Sequence, residues 1–156
     1  MNVLKIVAAV LLILLTLAAW LLPIGPVPGF FIGGTDTSAP DTWGDTSAIH
    51  EIKLKVDKGG LPRVVTIWVI QVNNELHVVG AKDSGWVATL GEGGSVLMRL
   101  KDKTYALKAS PVTSNLQAIV EAYKDKYRAD YPDIVNGFPS IEEAAGTMRV
   151  FKLTKG

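Results

Sequence analysis

Val78-Val79-Gly80-Ala81-Lys82-Asp83-Ser84-Gly85-Trp86-Val87-Ala88-Thr89-Leu90 reads as the end of a β-strand, a short polar turn and the start of a helix. Val78 and Val79 carry the branched side chains that suit a pleated sheet, and Gly80 lets the backbone leave it. Asp83 or Ser84 can cap the helix, and Trp86, Val87 and Leu90 give its first turns one apolar side. Such a corner presents unpaired N–H groups and a positive dipole end, with Lys82 beside them. Two readings stand at this point: a core corner anchored by a tryptophan, which is the commoner use of such residues, and a seat for a phosphate.

The flanking segments give the corner its sheet. Upstream, Glu75 to Ala81 is a strand returning from Asn73-Asn74, a pair that tolerates positive φ and suits a tight hairpin. Arg63 to Val72 is β-rich and apolar on both faces, which predicts one central strand. Before it, Ile52, Leu54 and Val56 alternate with charged residues as in a half-buried strand, closed by the turn Asp57-Lys58-Gly59-Gly60. Downstream, Gly91-Glu92-Gly93-Gly94 breaks the helix, and Ser95–Leu100 with Thr104–Val112 forms a second hairpin around Lys101-Asp102-Lys103. Ser114, with Gln117 at the capping-box position, opens a helix whose Leu116, Ile119, Val120, Tyr123 and Tyr127 share one buried face. Tyr131-Pro132 ends that segment, Pro139-Ser140-Ile141-Glu142-Glu143 opens a short helix closed by Gly146, and Thr147 to Leu153 alternates as a last strand. The count is about six strands and two or three short helices, joined mostly by hairpins. That is a mainly β (α+β) chain forming a small antiparallel barrel, not a doubly wound sheet.

The first residues are of another kind. Ile6 to Leu22 has no charge, and Thr16 is its single polar residue. Apolar on every face and close to the ~20 residues that span a bilayer, it predicts an N-terminal transmembrane helix over residues 1–23. A cleaved signal peptide is the competing reading; the length of the run and bulky Trp20-Leu21-Leu22 after Ala18-Ala19 favour an uncleaved anchor, with Trp20 at the interface. Lys5 precedes the run, and no basic residue follows until Lys53, which puts the amino terminus in the cytoplasm and the domain outside. Pro23-Ile24-Gly25-Pro26-Val27-Pro28-Gly29 cannot continue a helix, and 24–46 reads as a linker. Phe30, Phe31 and Ile32 within it are apolar enough to rest on the membrane or on the domain, which takes 47–156.

Composition removes most chemistries. A net charge of +1 with bases spread among acids argues against a nucleic-acid surface. The chain has no cysteine, so thiolate sites and disulfides are absent. His50 and His77 are each alone on a strand, so no metal site is expected. There is no G-x-S-x-G, P-loop or dinucleotide fingerprint. What remains is a small-molecule site able to hold a phosphate, with Arg63, Lys82 and Ser84 as anion contacts if their strands are neighbours, and Trp68 and Trp86 able to wall an aromatic ring.

Leu61-Pro62-Arg63-Val64-Val65-Thr66-Ile67-Trp68 and Val79-Gly80-Ala81-Lys82-Asp83-Ser84-Gly85-Trp86-Val87-Ala88-Thr89-Leu90 resemble the deazaflavin-dependent nitroreductase family. Its parent group is the FMN-binding split β-barrel of the pyridoxamine 5′-phosphate oxidase type. Val96-Leu97-Met98-Arg99-Leu100, Tyr105-Ala106-Leu107-Lys108-Ala109 and Phe151-Lys152-Leu153-Thr154 fall in the same order, so the resemblance runs from about Ile49 to Thr154. It implies a six-stranded antiparallel split β-barrel, usually a homodimer, holding FMN or the deazaflavin coenzyme at its rim. By motif position Arg63, Lys82, Ser84 and Trp86 are the implied cofactor contacts. The implied activity is reduction of a small quinone-like or nitro substrate; the alternative is a non-enzymatic barrel that binds a ligand or dimerises at the membrane. Thr89 stands where the family has the asparagine of W-x-x-N-L, Gly93-Gly94 where it has Asn-Pro, and the basic, Gly-rich lead-in before Leu61-Pro62-Arg63 is missing.

Overall fold

A computed structural model of the chain describes residues 3–23, 28–57 and 59–156. The helix break at 24–27, Lys58 of the first turn and the interfacial side chain expected of Trp20 lie outside the described residues. In chain order the elements are α1 (Val3–Leu21), β1 (Thr35–Asp36), β2 (Glu51–Val56), β3 (Arg63–Trp68), β4 (Ile70–Val72), β5 (Glu75–Ala81), α2 (Gly85–Leu90), β6 (Gly94–Leu100), β7 (Lys103–Pro111), α3 (Leu116–Tyr127), α4 (Pro132–Asn136), α5 (Ile141–Thr147) and β8 (Met148–Lys155).

The run Arg63 to Val72 is not one strand, because it changes partners at Val69. β3 pairs antiparallel with β2, from Arg63 opposite Val56 to Trp68 opposite Glu51, whereas β4 pairs with β5. The sheet order is β3-β2-β6-β7-β8-β5-β4, so its two ends are consecutive in the chain. Counting β3 and β4 as one bent strand, six antiparallel strands close on themselves in a split-barrel-like sheet.

A bend frees backbone polar groups, and α3 satisfies them. The Val69 N–H donates to the Tyr127 hydroxyl at 3.0 Å, and that hydroxyl donates to the carbonyl of His50 or Val69. The Tyr123 hydroxyl lies 3.2 Å from the carbonyls of both Trp68 and His77. The Lys126 ammonium donates to the carbonyls of Thr46, Ile49 and Val69 at 3.1, 2.7 and 2.8 Å. Burial pulls this lysine below its usual pKa, and Asp45 opposes that.

Two apolar clusters follow from strand alternation. Leu54, Val56, Leu76, Val78, Met98, Phe151 and Leu153 fill the barrel. Ile70, Ile119, Tyr123, Tyr127, Val135 and Val150 pack α3 and α4 on its outside. Asn73 and Asn74 both take positive φ, 51° and 64°, as the hairpin requires. The Ser140–Glu143 capping box of α5 forms. That of α3 does not: Asn115, at φ 58°, is the N-cap in place of Ser114, because asparagine tolerates the left-handed region. Pro132 starts α4, since its fixed φ suits a first helical position.

Between α1 and β2 the chain is laid along the barrel. Phe30 and Phe31 both donate to the Leu21 carbonyl at 2.9 Å, and Gly29 exchanges backbone bonds with Val64 at 2.9 and 2.8 Å. Arg99 donates to Ile32 O at 3.0 Å and Thr104 to Gly33 O at 2.6 Å, β1 pairs in parallel with β7, and Trp43 meets Tyr105 edge-on at 5.1 Å.

α1 has 19 residues. At 1.5 Å per residue that is roughly 28 Å, against a hydrocarbon core of about 30 Å. Among the described residues no helix is long and apolar enough to cross a membrane, so the fold does not support the transmembrane helix read from the sequence. The helix itself forms where that reading put it, and its large apolar side chains from Val3 to Leu21 are exposed wherever they are described.

Candidate functional site

The corner after β5 forms as its residues dictate. β5 ends at Ala81, Ser84 is the N-cap of α2 in extended conformation, and its hydroxyl donates back to the Ala81 carbonyl at 2.7 Å. Trp86 is 6% exposed, inside the barrel core, its ring 5.8 Å from that of Phe151. Gly80 is required by this: a Cβ there would press into Cζ2 of Trp86 and lie 2.7 Å from Cγ2 of Val87. Thr89 donates to the Gly85 carbonyl at 2.7 Å.

The four residues singled out by motif do not converge on one point. The Arg63 guanidinium does reach the corner, its Nη1 lying 2.5 Å from where a Cβ of Gly85 would stand. Lys82 turns to the other side: its Nζ donates to the Ala145 carbonyl of α5 at 2.9 Å, and its N–H to the Thr147 carbonyl at 2.8 Å. Trp86 lies beneath both, in the core.

Beside the corner is a groove of about 360 Å³ between β3, β5 and the α3–α5 layer. Trp68, Tyr123, Ile134, Phe138 and Met148 wall it, and Gly80 and Ala81 line it where β5 ends. Glu51 is the one charged side chain among its described lining residues, and Thr66 adds a hydroxyl. Trp68 is stiffened from behind by Tyr127, stacked at 4.2 Å with planes 7° apart, and by Tyr131 at 4.9 Å. A volume and lining of this kind suit a flat, largely apolar ligand. A second cavity of about 340 Å³ holds Lys82 and shares Val79, Val120, Ala144 and Met148 with the groove.

Sequence reading reached Trp68 but not Tyr123, Ile134 or Phe138. The tyrosines were visible as a helix stripe, which signals burial without saying against what. Ile134 lies within α4 and Phe138 just after it, and a five-residue helix carries no period long enough to read.

The titratable groups give the groove little acid–base capacity. Burial pushes the Tyr123 hydroxyl well up, and does the same to Tyr127. Among the described residues no three His, Cys, Asp or Glu side chains could hold a metal. His77 is 5% exposed, with Nδ1 3.1 Å from the Glu75 carbonyl, so that nitrogen carries the proton. Burial lowers its pKa below 6.5. A histidine that protonates less readily folded than unfolded makes the unfolded chain bind more protons between the two values. Stability is therefore full above pH ~6.5 and falls as the pH drops through that window. Thermal unfolding at pH 7.5 and 5 should show this acid loss in the native chain and a smaller one in His77→Gln.

No protein-family model matches the chain, and no curated protein matches it. Among solved structures it is similar to HutZ, the haem storage protein of Vibrio cholerae, with 16% identity and TM-score 0.51 over 69% of this chain and 82% of that one. It is also similar to an FAD and haem binding protein of Mycobacterium smegmatis, with 15% identity and TM-score 0.50 over 70% of this chain and 62% of that one. A NimC/NimA family protein of Clostridium acetobutylicum follows, with 16% identity and TM-score 0.48 over 67% and 73%. At these identities the likeness is one of fold alone, and it agrees with the split-barrel-like sheet described above.

Proposed function

We propose that the protein binds a flavin-type cofactor, FMN or the deazaflavin coenzyme, and reduces a small hydrophobic, quinone-like or nitro substrate. The observation that carries the reading is the apolar groove whose Trp68 wall is braced by Tyr127 and which reaches Gly80 and Ala81 at the end of β5, four residues before the Gly85 that Arg63 approaches. The residues fit such a group in part. The groove accepts a planar ring, Arg63 offers a cation for a phosphate, and Ser84 can add a hydroxyl by turning its hydrogen from the Ala81 carbonyl. Lys82 joins them only by leaving the Ala145 carbonyl, and Trp86 acts from the core by fixing Gly80 under the groove. A bound flavin supplies hydride transfer; the chain orients it and keeps water off its ring, with Glu51 the one charged side chain among the described residues lining the groove.

The same proposal makes the protein a homodimer held at a membrane by α1 as a single-pass anchor, amino terminus in the cytoplasm and barrel outside. Its support is the set of large apolar side chains of α1, exposed wherever they are described and together too extensive to leave in water. A second reading is a ligand-binding barrel without turnover, favoured by the lack of any acid or base but Glu51 among the described groove residues.

The test is titration of the purified full chain with FMN, deazaflavin and haemin, followed by fluorescence and absorbance. Flavin binding is expected, weakened roughly 10- to 100-fold in Arg63→Ala by loss of a charge-assisted phosphate contact. A folded protein that binds neither flavin overturns the reading. Flavin binding with no reduction of any quinone or nitro compound supports the second one.

A further inference from the structure

We propose that the outer face of β2 and β6, with Phe31 and Leu61 beside the β3 edge, is a lipid-docking surface that lays the barrel flat on an anionic membrane. The inference rests on α1 lying in lipid, as proposed above, and adds where the barrel then sits. The chain leaves no slack between the two. Phe30 and Phe31 are bonded to the last residue of α1, and Gly29 is bridged to Val64 in β3. The end of α1 is thus fixed against the β3 edge.

Around that point the surface is built like an interface anchor. Leu61, in the turn before β3, is 80% exposed, and Phe31 is 59% exposed. Phe31 and Arg99 crowd the same spot, since a Cβ on Gly33 would lie 3.2 Å from the Phe31 ring and 2.7 Å from the Arg99 guanidinium. Arg99 pairs across the sheet with Lys53 and bonds the carbonyl of Lys101, and Lys55 follows on the same face because β2 buries Ile52, Leu54 and Val56. Two exposed apolar side chains among bases at the foot of an apolar helix match the chemistry of an anionic headgroup layer over acyl chains. The depression holding Lys53, Arg99 and Lys101 shares Glu51 and Thr66 with the groove, so docking sets the groove mouth at the lipid surface.

The chain has no cysteine, so one introduced thiol carries one label. The full chain is reconstituted in phosphatidylcholine vesicles with and without phosphatidylglycerol, bearing an environment-sensitive fluorophore at Leu61→Cys, Phe31→Cys, Leu12→Cys in α1, or Asn73→Cys at the far hairpin. With brominated acyl chains as quenchers, labels at 12, 31 and 61 are expected to be quenched and that at 73 not. Lys53→Gln and Lys55→Gln should each lower the docked-to-undocked ratio in anionic vesicles roughly fivefold. Quenching at 12 without quenching at 31 and 61 overturns the docking and leaves the anchor standing. An unquenched label at 12 overturns the anchor and the docking together. Equal quenching at 73 overturns the proposed face.

Discussion

Tyr127→Ala should lower the free energy of unfolding by about 3–5 kcal/mol, as large aromatic truncations in a packed core do. Tyr127 is fully buried against Trp68 and Tyr123, and its hydroxyl is the nearer of two acceptors for the Val69 N–H where the barrel strand changes partners, at 3.0 Å against 3.4 Å for the His50 carbonyl. Alanine removes both the packing and the nearer acceptor. Tyr127→Phe separates the two: it keeps the ring and should cost about 0.5–1.5 kcal/mol, the usual net contribution of a hydrogen bond, since the Val69 N–H keeps the His50 carbonyl and the Val69 carbonyl keeps Lys126. Urea unfolding followed by near-ultraviolet circular dichroism gives both numbers. A phenylalanine variant as stable as the native chain shows that the bend does not depend on the hydroxyl.

Gly80→Val should be the most damaging change in the corner. Even one methyl group there enters the Trp86 ring and crowds Val87, and overpacking of this kind costs about 1–3 kcal/mol or more. The clash is with the benzo edge of the indole, so Trp86→Phe should recover part of the loss in the double variant. Additive losses in a double-mutant cycle argue against direct contact. Because Gly80 also lines the groove, the single variant should bind flavin more weakly at temperatures where it is still folded.

How much of this was legible in the sequence differs by element. Local signals are legible, so the Asn73-Asn74 hairpin and the start of a short helix at Pro139 to Glu143 can each be read from a few adjacent residues, whereas the Ser140–Glu143 capping box shows only in the structure. The partner change at Val69 was not, because Arg63 to Val72 has one uniform β-rich composition and its interruption is imposed by Tyr127, far along the chain. The cap of α3 falls one residue later than the sequence suggests: Ser114 and Asn115 are about equally good intrinsic caps, and Asn115 supplies the left-handed turn the chain needs there. In the corner, sequence order correctly joined Gly80, Ser84 and Trp86, yet it carries no direction. It could not say that Lys82 turns to Ala145 while Arg63 turns to Gly85. The groove was invisible because its walls come from strands and helices that meet only in the tertiary fold.

The strand that bends at Val69 has one more consequence, for self-association. An open antiparallel sheet ends in two rows of unpaired backbone groups, and these are where other chains add strands. Here the two outermost members are successive pieces of one segment, so the sheet largely uses up its own edges. Part of the remaining flank of β3 is taken by Gly29 at Val64. Loosening the hold of α3 on Val69 would reopen both edges at once, so variants weakened at Tyr127 should form β-rich aggregates as well as unfold more readily.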